Sequence, residues 1–325
     1  MSGFGSGPLA HCASAGAFGR PRGGWGPRPA RATRRAETGR PGCVEPGRSG
    51  SALAGALRSA TVSQTPLDLS RVFTLEPHGP DTFIGESPPF SWGAIYGGLA
   101  IAQGLWAATQ TVVPEFRVHS LHAYFIRGGE LGEPVRYEVD RVRNGRSFAT
   151  RSVSARQSGG AILTLLCSFQ KEEGGADVQA APFPEAVPAP ETLTGEYDAG
   201  AERLDVKARD DRPRSCVWTR YPISLPDDPR LHACALAYLS DLNPMAAIGD
   251  AYPEELPEEE VMAVSLDHAV WFHRAVRADD WLLIDLEGHG FVGARGLATG
   301  LVFAPDRTHV ATIAQEGLFR DRWRR

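Results

Sequence analysis

Two stretches of the chain carry apolar residues at helical spacing, and each is followed by a series of extended segments. The first stretch runs from Gly98 to Val112 and the second from about Arg230 to Leu242. The recurring positions are Leu99, Ala102, Leu105, Trp106 and Thr109 in the first, and Leu231, Ala235, Leu239 and Leu242 in the second. Residues that recur every three or four positions lie on one face of a helix, so both stretches are predicted as helices packed on a core.

The segments after each helix alternate in the manner of strands. They span 118–125, 136–143, 148–157 and 161–169 after the first helix, and 262–272, 281–286, 293–303 and 310–316 after the second. Asn144-Gly145 and Pro305-Asp306 are turn signals between strands. Ser120-Leu121-His122-Ala123 is echoed by Ser265-Leu266-Asp267-His268-Ala269. A helix followed by an antiparallel meander, occurring twice, predicts an α+β fold in which each sheet wraps one helix and the two sheets pair edge to edge.

Composition divides the chain into four parts. Residues 1–66 are rich in Gly, Ala, Pro and Arg and poor in acids, which predicts a disordered extension. The alternatives for this part are a misplaced translation start, an organelle transit peptide or an anion-binding arm. Residues 173–212 contain Gly174-Gly175 and several prolines, which predicts a linker. It separates an N-terminal domain, 67–172, from a C-terminal domain, 213–321.

Charge and cysteine content mainly exclude classes of protein. There is no run of about 18 apolar residues, so no membrane span is expected. The net charge of −5 argues against general nucleic-acid binding. The five cysteines are odd in number and form no CxxC, so we expect neither a disulfide framework nor a zinc site, and a reducing cytoplasmic setting. Cys167 and Cys234 lie in apolar runs and are predicted to be buried.

Several short motifs resemble one family in order and spacing. In the C-terminal part they are Tyr238-Leu239-Ser240-Asp241, Val264-Ser265-Leu266-Asp267-His268-Ala269-Val270-Trp271-Phe272-His273 and Ala314-Gln315-Glu316-Gly317. In the N-terminal part they are Phe83-Ile84-Gly85, Tyr96-Gly97-Gly98, His119-Ser120-Leu121-His122-Ala123-Tyr124-Phe125, Asn144-Gly145-Arg146-Ser147-Phe148 and Ser168-Phe169-Gln170. Over residues 72–320 the chain resembles the type II acyl-CoA thioesterases, the TesB-like family of double hotdog proteins. The resemblance implies two fused hotdog folds, an acyl-CoA substrate, a homo-oligomer, and neither cofactor nor metal.

The resemblance also implies a catalytic set. By position, Asp241, Ser265 and Gln315 are expected to hold the attacking water. The segment Tyr96-Gly97-Gly98 is expected to approach the substrate, with backbone N–H groups near a helix N-terminus offered to the thioester carbonyl. A thiol with a pKa of ~8.5 leaves as thiolate, so the chemistry needs an oriented water and oxyanion donors rather than a strong acid. One departure is Leu99, where the family usually has Gln.

Some of these residues allow other interpretations. Ser265, Asp267 and His268 suggest a nucleophilic triad, but strand alternation places His268 on the opposite face from Ser265, which argues against it. His268 is instead expected to be structural, with a backbone partner. Four arginines about one hairpin form either a solvated face or a site for CoA phosphates. They are Arg141, Arg143, Arg146 and Arg151.

Two alternative functions remain beside hydrolysis. A hotdog enoyl-CoA hydratase needs an acid–base pair, usually Asp and His, and no His lies within one helical turn of Asp241 on its helix. A binding or scaffolding protein without turnover is the other alternative, and Leu99 keeps it open. The first helix contains no Asp or Glu, so we expect one working site per chain.

Overall fold

The computed structural model describes residues 62–63, 67–207, 212–252 and 261–321. Within these residues, fifteen strands form one antiparallel sheet. The strands are β1 (Val62–Ser63), β2 (Glu76–Pro77), β3 (Thr82–Gly85), β4 (Phe116–Phe125), β5 (Val135–Asn144), β6 (Phe148–Gln157), β7 (Gly160–Lys171), β8 (Glu196–Asp198), β9 (Ala201–Asp205), β10 (Arg214–Arg220), β11 (Val261–Ser265), β12 (Asp267–Phe272), β13 (Leu282–Val292), β14 (Arg295–Phe303) and β15 (His309–Asp321). The α-helices are α1 (Gly97–Thr109), α2 (Pro229–Ser240) and α3 (Pro244–Asp250), and a 3-10 turn spans Pro190–Thr192.

The order of the strands shows how the two series of strands join. It is β1-β8-β9-β10-β13-β14-β15-β12-β4-β7-β6-β5-β3-β2, with β11 also paired to β15. β4 and β12 meet at the joint, where Leu121 pairs with Val270 and Ala123 with His268. Strands from residues 76–171 lie on one side of this joint and strands from 196–321 on the other. The two meanders therefore pair edge to edge and leave no open edge between them.

The two long helices pack on one another and against strands of the sheet. α2 begins where the Asp228 carboxylate accepts a hydrogen bond from Arg230 N–H and Pro229 takes the first helical position. The phenolic hydroxyl of Tyr96, just before α1, donates to the carbonyl of Tyr238 near the end of α2, at 2.9 Å. The N-terminus of α1 therefore lies against the C-terminus of α2, and the helices run antiparallel.

Both helices occur where the apolar spacing predicts them, but each ends two or three residues early. After α1, the hydroxyl groups of Thr109 and Thr111 donate to the carbonyls of Trp106 and Ala108 and so take up helix acceptors. Pro114 then prevents the helix from continuing. Core burial is nearly complete along α1, in agreement with its apolar surface on all sides.

The predicted linker needs a correction. Residues 196–198 and 201–205 form β8 and β9, which pair with each other, and β9 pairs with β10. Arg203 and Leu204 are buried there. The prolines that suggested a linker end at Pro190, and the residues after it cover the edge that β10 would otherwise expose.

The predicted extension is corrected at its end. Val62–Ser63 pair with β8, so the prediction of disorder is wrong for these two residues. Residues 1–61 and 64–66 lie outside the described residues. In the described part of the chain, no helix is long and apolar enough to cross a membrane. Cys167 and Cys234 are buried, as predicted.

Candidate active site

Asp241 lies where the two helices meet. It follows α2 directly, and only 5% of its side-chain surface is exposed. A Cβ atom at Gly97 would come within 2.7 Å of Asp241 Oδ2, and one at Gly98 within 2.6 Å of the Tyr238 carbonyl oxygen. Two glycines are therefore required for α1 to approach the end of α2 this closely.

The environment of Asp241 holds its carboxyl group near the point of ionisation. Burial raises its pKa to about 7, and hydrogen bonds from the Gly98 backbone N–H and the Gln315 side chain act in the opposite direction. The negative charge of Asp198 raises the pKa further. The positive end of the α1 dipole faces the carboxylate and offsets the unfavourable end of α2. Asp241 Oδ1 is buried and has no hydrogen-bond partner among the described residues.

Gln315 connects the other two predicted residues. It is fully buried on β15, and its Nε2 donates to Ser265 Oγ at 2.8 Å. Its Oε1 lies 2.6 Å from His268 Nδ1. The Gln315 side chain also lowers the pKa of Asp241, so the three predicted residues lie in one cluster, and their catalytic roles stay a prediction.

His268 is the residue of this cluster that the sequence argument misplaced. Ser265 pairs with Gly317, but Ala269 pairs with Ala314, so the register shifts by one residue between β11 and β12. This bulge turns Ser265 and His268 toward the same amide. The prediction that they lie on opposite faces is therefore wrong.

The expected backbone partner of His268 is also wrong. Its two ring nitrogens contact the side chains of Ser240 and Gln315. One signal in the sequence pointed to the bulge: the second copy of the Ser-Leu-His-Ala motif carries one additional residue, Asp267. Ser265, Asp267 and His268 nonetheless do not form a triad. Asp267 accepts a hydrogen bond from Glu316 N–H, and His268 reaches Ser265 only through Gln315.

A cavity of about 560 Å³ opens beside this cluster. Asp241 and Ser265 line it, together with Tyr96 and Gly97, whereas Gly98 lies behind them against the Tyr238 carbonyl. The apolar part of the wall includes Trp92, Ile95, Phe125, Leu163, Met245 and Leu266. The arrangement therefore places the Asp241 carboxylate and the Ser265 hydroxyl at the wall of a mainly apolar cavity, with the buried Gln315 amide behind Ser265.

Two of the four arginines of the 141–151 hairpin, Arg141 and Arg151, are engaged elsewhere. Arg141 pairs with the carboxylate of Asp81, and Arg151 is buried with donors to Thr111 and the Arg143 carbonyl. Neither forms a free cationic surface. In the parts of the chain that are described, no group of three or more His, Cys, Asp or Glu is arranged to hold a metal ion.

Comparison with known proteins places this geometry in a family. The model of the acyl-CoA thioesterase N-terminal domain matches residues 87–170, and that of the C-terminal domain matches residues 175–319. The chain belongs to the acyl-CoA thioesterase family. The C-terminal match begins ahead of β8 and β9, in agreement with their place in the sheet.

Relatives of this thioesterase family cover most of the chain. The human acyl-coenzyme A thioesterase 8 is 32% identical over 82% of this chain and 91% of its own length. The crystal structure of the acyl-CoA thioesterase II TesB2 of Mycobacterium marinum is 34% identical, with a TM-score of 0.66 over 78% of this chain and 97% of that one. A protein of Alicyclobacillus acidocaldarius described as having a hot dog fold is 19% identical, with a TM-score of 0.65 over 77% and 97%. The fold of this chain is thus of the hotdog type, and its relatives are type II acyl-CoA thioesterases.

Proposed function

We propose that this chain hydrolyses acyl-CoA thioesters to a free acid and CoA, using a water molecule held by Asp241, Ser265 and Gln315. The observation that carries the proposal is the buried, partnerless Oδ1 of Asp241 among the described residues, next to the Gln315 amide and at the wall of an apolar cavity. Two hotdog units supply this site: one built on α1 with β3 to β7, the other on α2 with β9 to β15. Each alone would lack one side of the Asp241 pocket.

The steps follow from the groups present. Asp241 accepts a proton from water as the water oxygen bonds to the thioester carbon, and a base with a pKa about 7 suits that task at neutral pH. Ser265 and the Gln315 amide orient the water. The Gly98 N–H is directed to Asp241, so the Gly97 N–H, at the cavity wall, is the proposed oxyanion donor. The C–S bond then breaks, and the thiolate leaves with the electron pair.

The walls of the cavity suit the rest of the substrate. Apolar side chains from both halves would cover an acyl chain and exclude water from it. Arg127 is an exposed cation that also lines the cavity, so it is placed to meet a CoA phosphate outside. Leu99 is fully buried in the core, so its replacement of the family Gln affects packing of α1.

A hotdog enoyl-CoA hydratase needs an Asp–His pair, and His268 Nδ1 does lie 3.9 Å from Asp241 Oδ1. Both ring nitrogens of His268 are already bonded to side chains, and His268 is buried behind Gln315. His268 therefore has no free ring nitrogen that could exchange a proton with a substrate carbon. A raised pKa on a cavity carboxylate argues for turnover rather than for binding alone.

The experiment is thiol release from acyl-CoA substrates of graded chain length. We expect release by the native chain, and a loss of roughly 10- to 10,000-fold in Asp241→Asn. Asp228→Asn is the matched control, because it makes the same change at the other end of α2, where Asn is also a good N-cap. It should retain activity. Full activity of folded Asp241→Asn would overturn the mechanism, and hydration of enoyl-CoA without thiol release would overturn the function.

A further inference from the structure

We propose that His268 is a positioning residue that fixes the orientation of the Gln315 amide, and through it the hydrogen bonds around the attacking water. The inference rests on the function proposed above. Neither His268 nor Gln315 lines the cavity, so His268 would act through Gln315 on the two residues that do, Ser265 and Asp241.

The supporting observation is a continuous chain of side-chain contacts. Ser240 Oγ lies 2.8 Å from His268 Nε2, His268 Nδ1 lies 2.6 Å from Gln315 Oε1, and Gln315 Nε2 lies 2.8 Å from Ser265 Oγ. Ser240, His268 and Gln315 are all at most 1% exposed. This series of side-chain contacts thus links the end of α2 to Ser265 at the cavity wall through groups that solvent does not reach.

The positions of the protons in this series of hydrogen bonds follow from the group nearest the cavity. The Gln315 amide nitrogen must face the Asp241 carboxylate, because an amide oxygen there would meet a negative charge. The amide oxygen therefore faces His268, and Nδ1 must carry the proton to donate to it. Neutral imidazole has one N–H, so Nε2 accepts from the Ser240 hydroxyl.

The surroundings of His268 keep it neutral. Burial lowers its pKa to about 4. The ionisable groups around the site are Asp241, which faces Nδ1, and beyond it Tyr96, Tyr238 and Asp198. At pH 8, above the pKa of Asp241, His268 is therefore a neutral Nδ1–H tautomer beside a mostly ionised Asp241, and it does not compete with the water for the carboxylate as a cation would.

Two amide substitutions separate positioning from packing. The amide nitrogen of Asn is three bonds from Cα, as Nδ1 is, whereas that of Gln is four bonds away, as Nε2 is. We expect His268→Asn to keep a donor for Gln315 and most of kcat. We expect His268→Gln to lose about 10- to 100-fold in kcat, the range seen when a partner that only orients a working group is removed, with KM nearly unchanged. Equal losses in both variants would overturn the proposal.

A double-variant cycle tests whether the effect passes through Gln315. In a Gln315→Ala background, His268→Gln should cost no further activity, because the amide to be oriented is absent. A multiplicative loss would overturn the inference. Loss of activity in Asp241→Asn with a fully active His268→Gln would leave the proposed function standing and remove only the role of His268.

A measurement on the native chain avoids the question of folding. Nitrogen-15 NMR of labelled histidine should show His268 as the neutral Nδ1–H tautomer at pH 8. The Nε2–H tautomer would mean that the Gln315 amide faces the other way, and would overturn the inference.

Discussion

The two ends of the antiparallel helix pair have the same backbone arrangement and different chemistry. At one end the residue after α2 is Asp241, and at the other the residue after α1 is Gln110. Asp241 is covered by the N-terminus of α1, but Gln110 is exposed. The burial that raises the pKa of Asp241 has no counterpart at Gln110.

The strands behind the two helix ends differ in the same sense. On β12 and β15, His268 and Gln315 form a hydrogen-bonded pair. On β4 and β7, the counterpart of His268 in the repeated motif is His122, which is exposed, and the buried pair beside it is Leu121 with Cys167. An apolar pair in that place orients no amide and no water. In the mechanism proposed above, four side chains, and not the fold, distinguish the end that carries hydrolysis.

A cavity is present at both ends, so space alone does not decide function. The cavity beside Gln110 measures about 690 Å³ and is lined by Thr109, Val112 and Pro229 among others. Its carboxylates lie on the exposed segment after β7, and the Arg274 guanidinium holds the pKa of Asp177 below its usual value. A carboxylate in such a setting is a weak base at neutral pH.

The strongest test of the comparison moves the carboxylate from one end to the other. The double variant Asp241→Asn, Gln110→Asp should remain as inactive as Asp241→Asn, roughly 10- to 10,000-fold below the native chain. The reason is that an exposed carboxylate in place of Gln110 would lack both burial and an oriented amide. Thiol release measures the effect. Recovery of activity in the double variant would show that the two ends are equivalent.

The partners of Asp241 should show a smaller loss. Ser265→Ala and Gln315→Ala each remove one group that orients the water, and we expect roughly 10- to 1,000-fold lower kcat. Cys167→Ala alters a buried position on β7, where Cys167 pairs with Leu121, and should leave kcat nearly unchanged. Steady-state kinetics on the three variants decides the point; a comparable loss in Cys167→Ala would contradict it.

The buried carboxylate of Asp241 should also lower the free energy of unfolding of the native chain at neutral pH and above. Its pKa rises from 3.8 in the unfolded chain to about 7 when folded, so the folded state binds the proton more tightly. Stability is therefore lost as the pH rises from about 4 through 7, by on the order of 4 kcal/mol. Asp241→Asn avoids this loss, and should unfold at higher denaturant concentration than the native chain at pH 8 but not at pH 4.

The activity of the native chain should follow the same ionisation. Below about pH 7, Asp241 is increasingly protonated and kcat/KM should fall. A pH profile that is flat between pH 5 and 8 would argue against Asp241 as the base.

The smallest effect is expected from a change in the N-terminal residues, which lie outside the described part of the chain. Deletion of residues 1–60 should leave the melting temperature and thiol release nearly unchanged, because this Gly-, Pro- and Arg-rich composition cannot bury a core. A decrease of several degrees in Tm would show that the segment packs against the rest of the chain.

The elements were more predictable than their contacts. Both helices and the central strands occur where periodicity places them, and β6 has the predicted bounds of 148–157. The strands β8 and β9 were missed because they are short and follow a proline-rich segment. The bulge at Leu266 was missed because alternation assumes an unbroken strand, and a single inserted residue reverses the face of everything after it.

The sequence by itself determined the two long helices, the central strands, the repeat and the family resemblance, since these depend on local periodicity and on motifs a few residues long. It also named Asp241, Ser265 and Gln315, through the resemblance. Only the tertiary structure decided that His268 joins them, that Asp241 is buried under α1, and that Gln110 is not. Burial and register depend on residues more than 20 positions apart in the chain, and the pKa of a carboxylate is set by what is packed around it rather than by its neighbours in sequence.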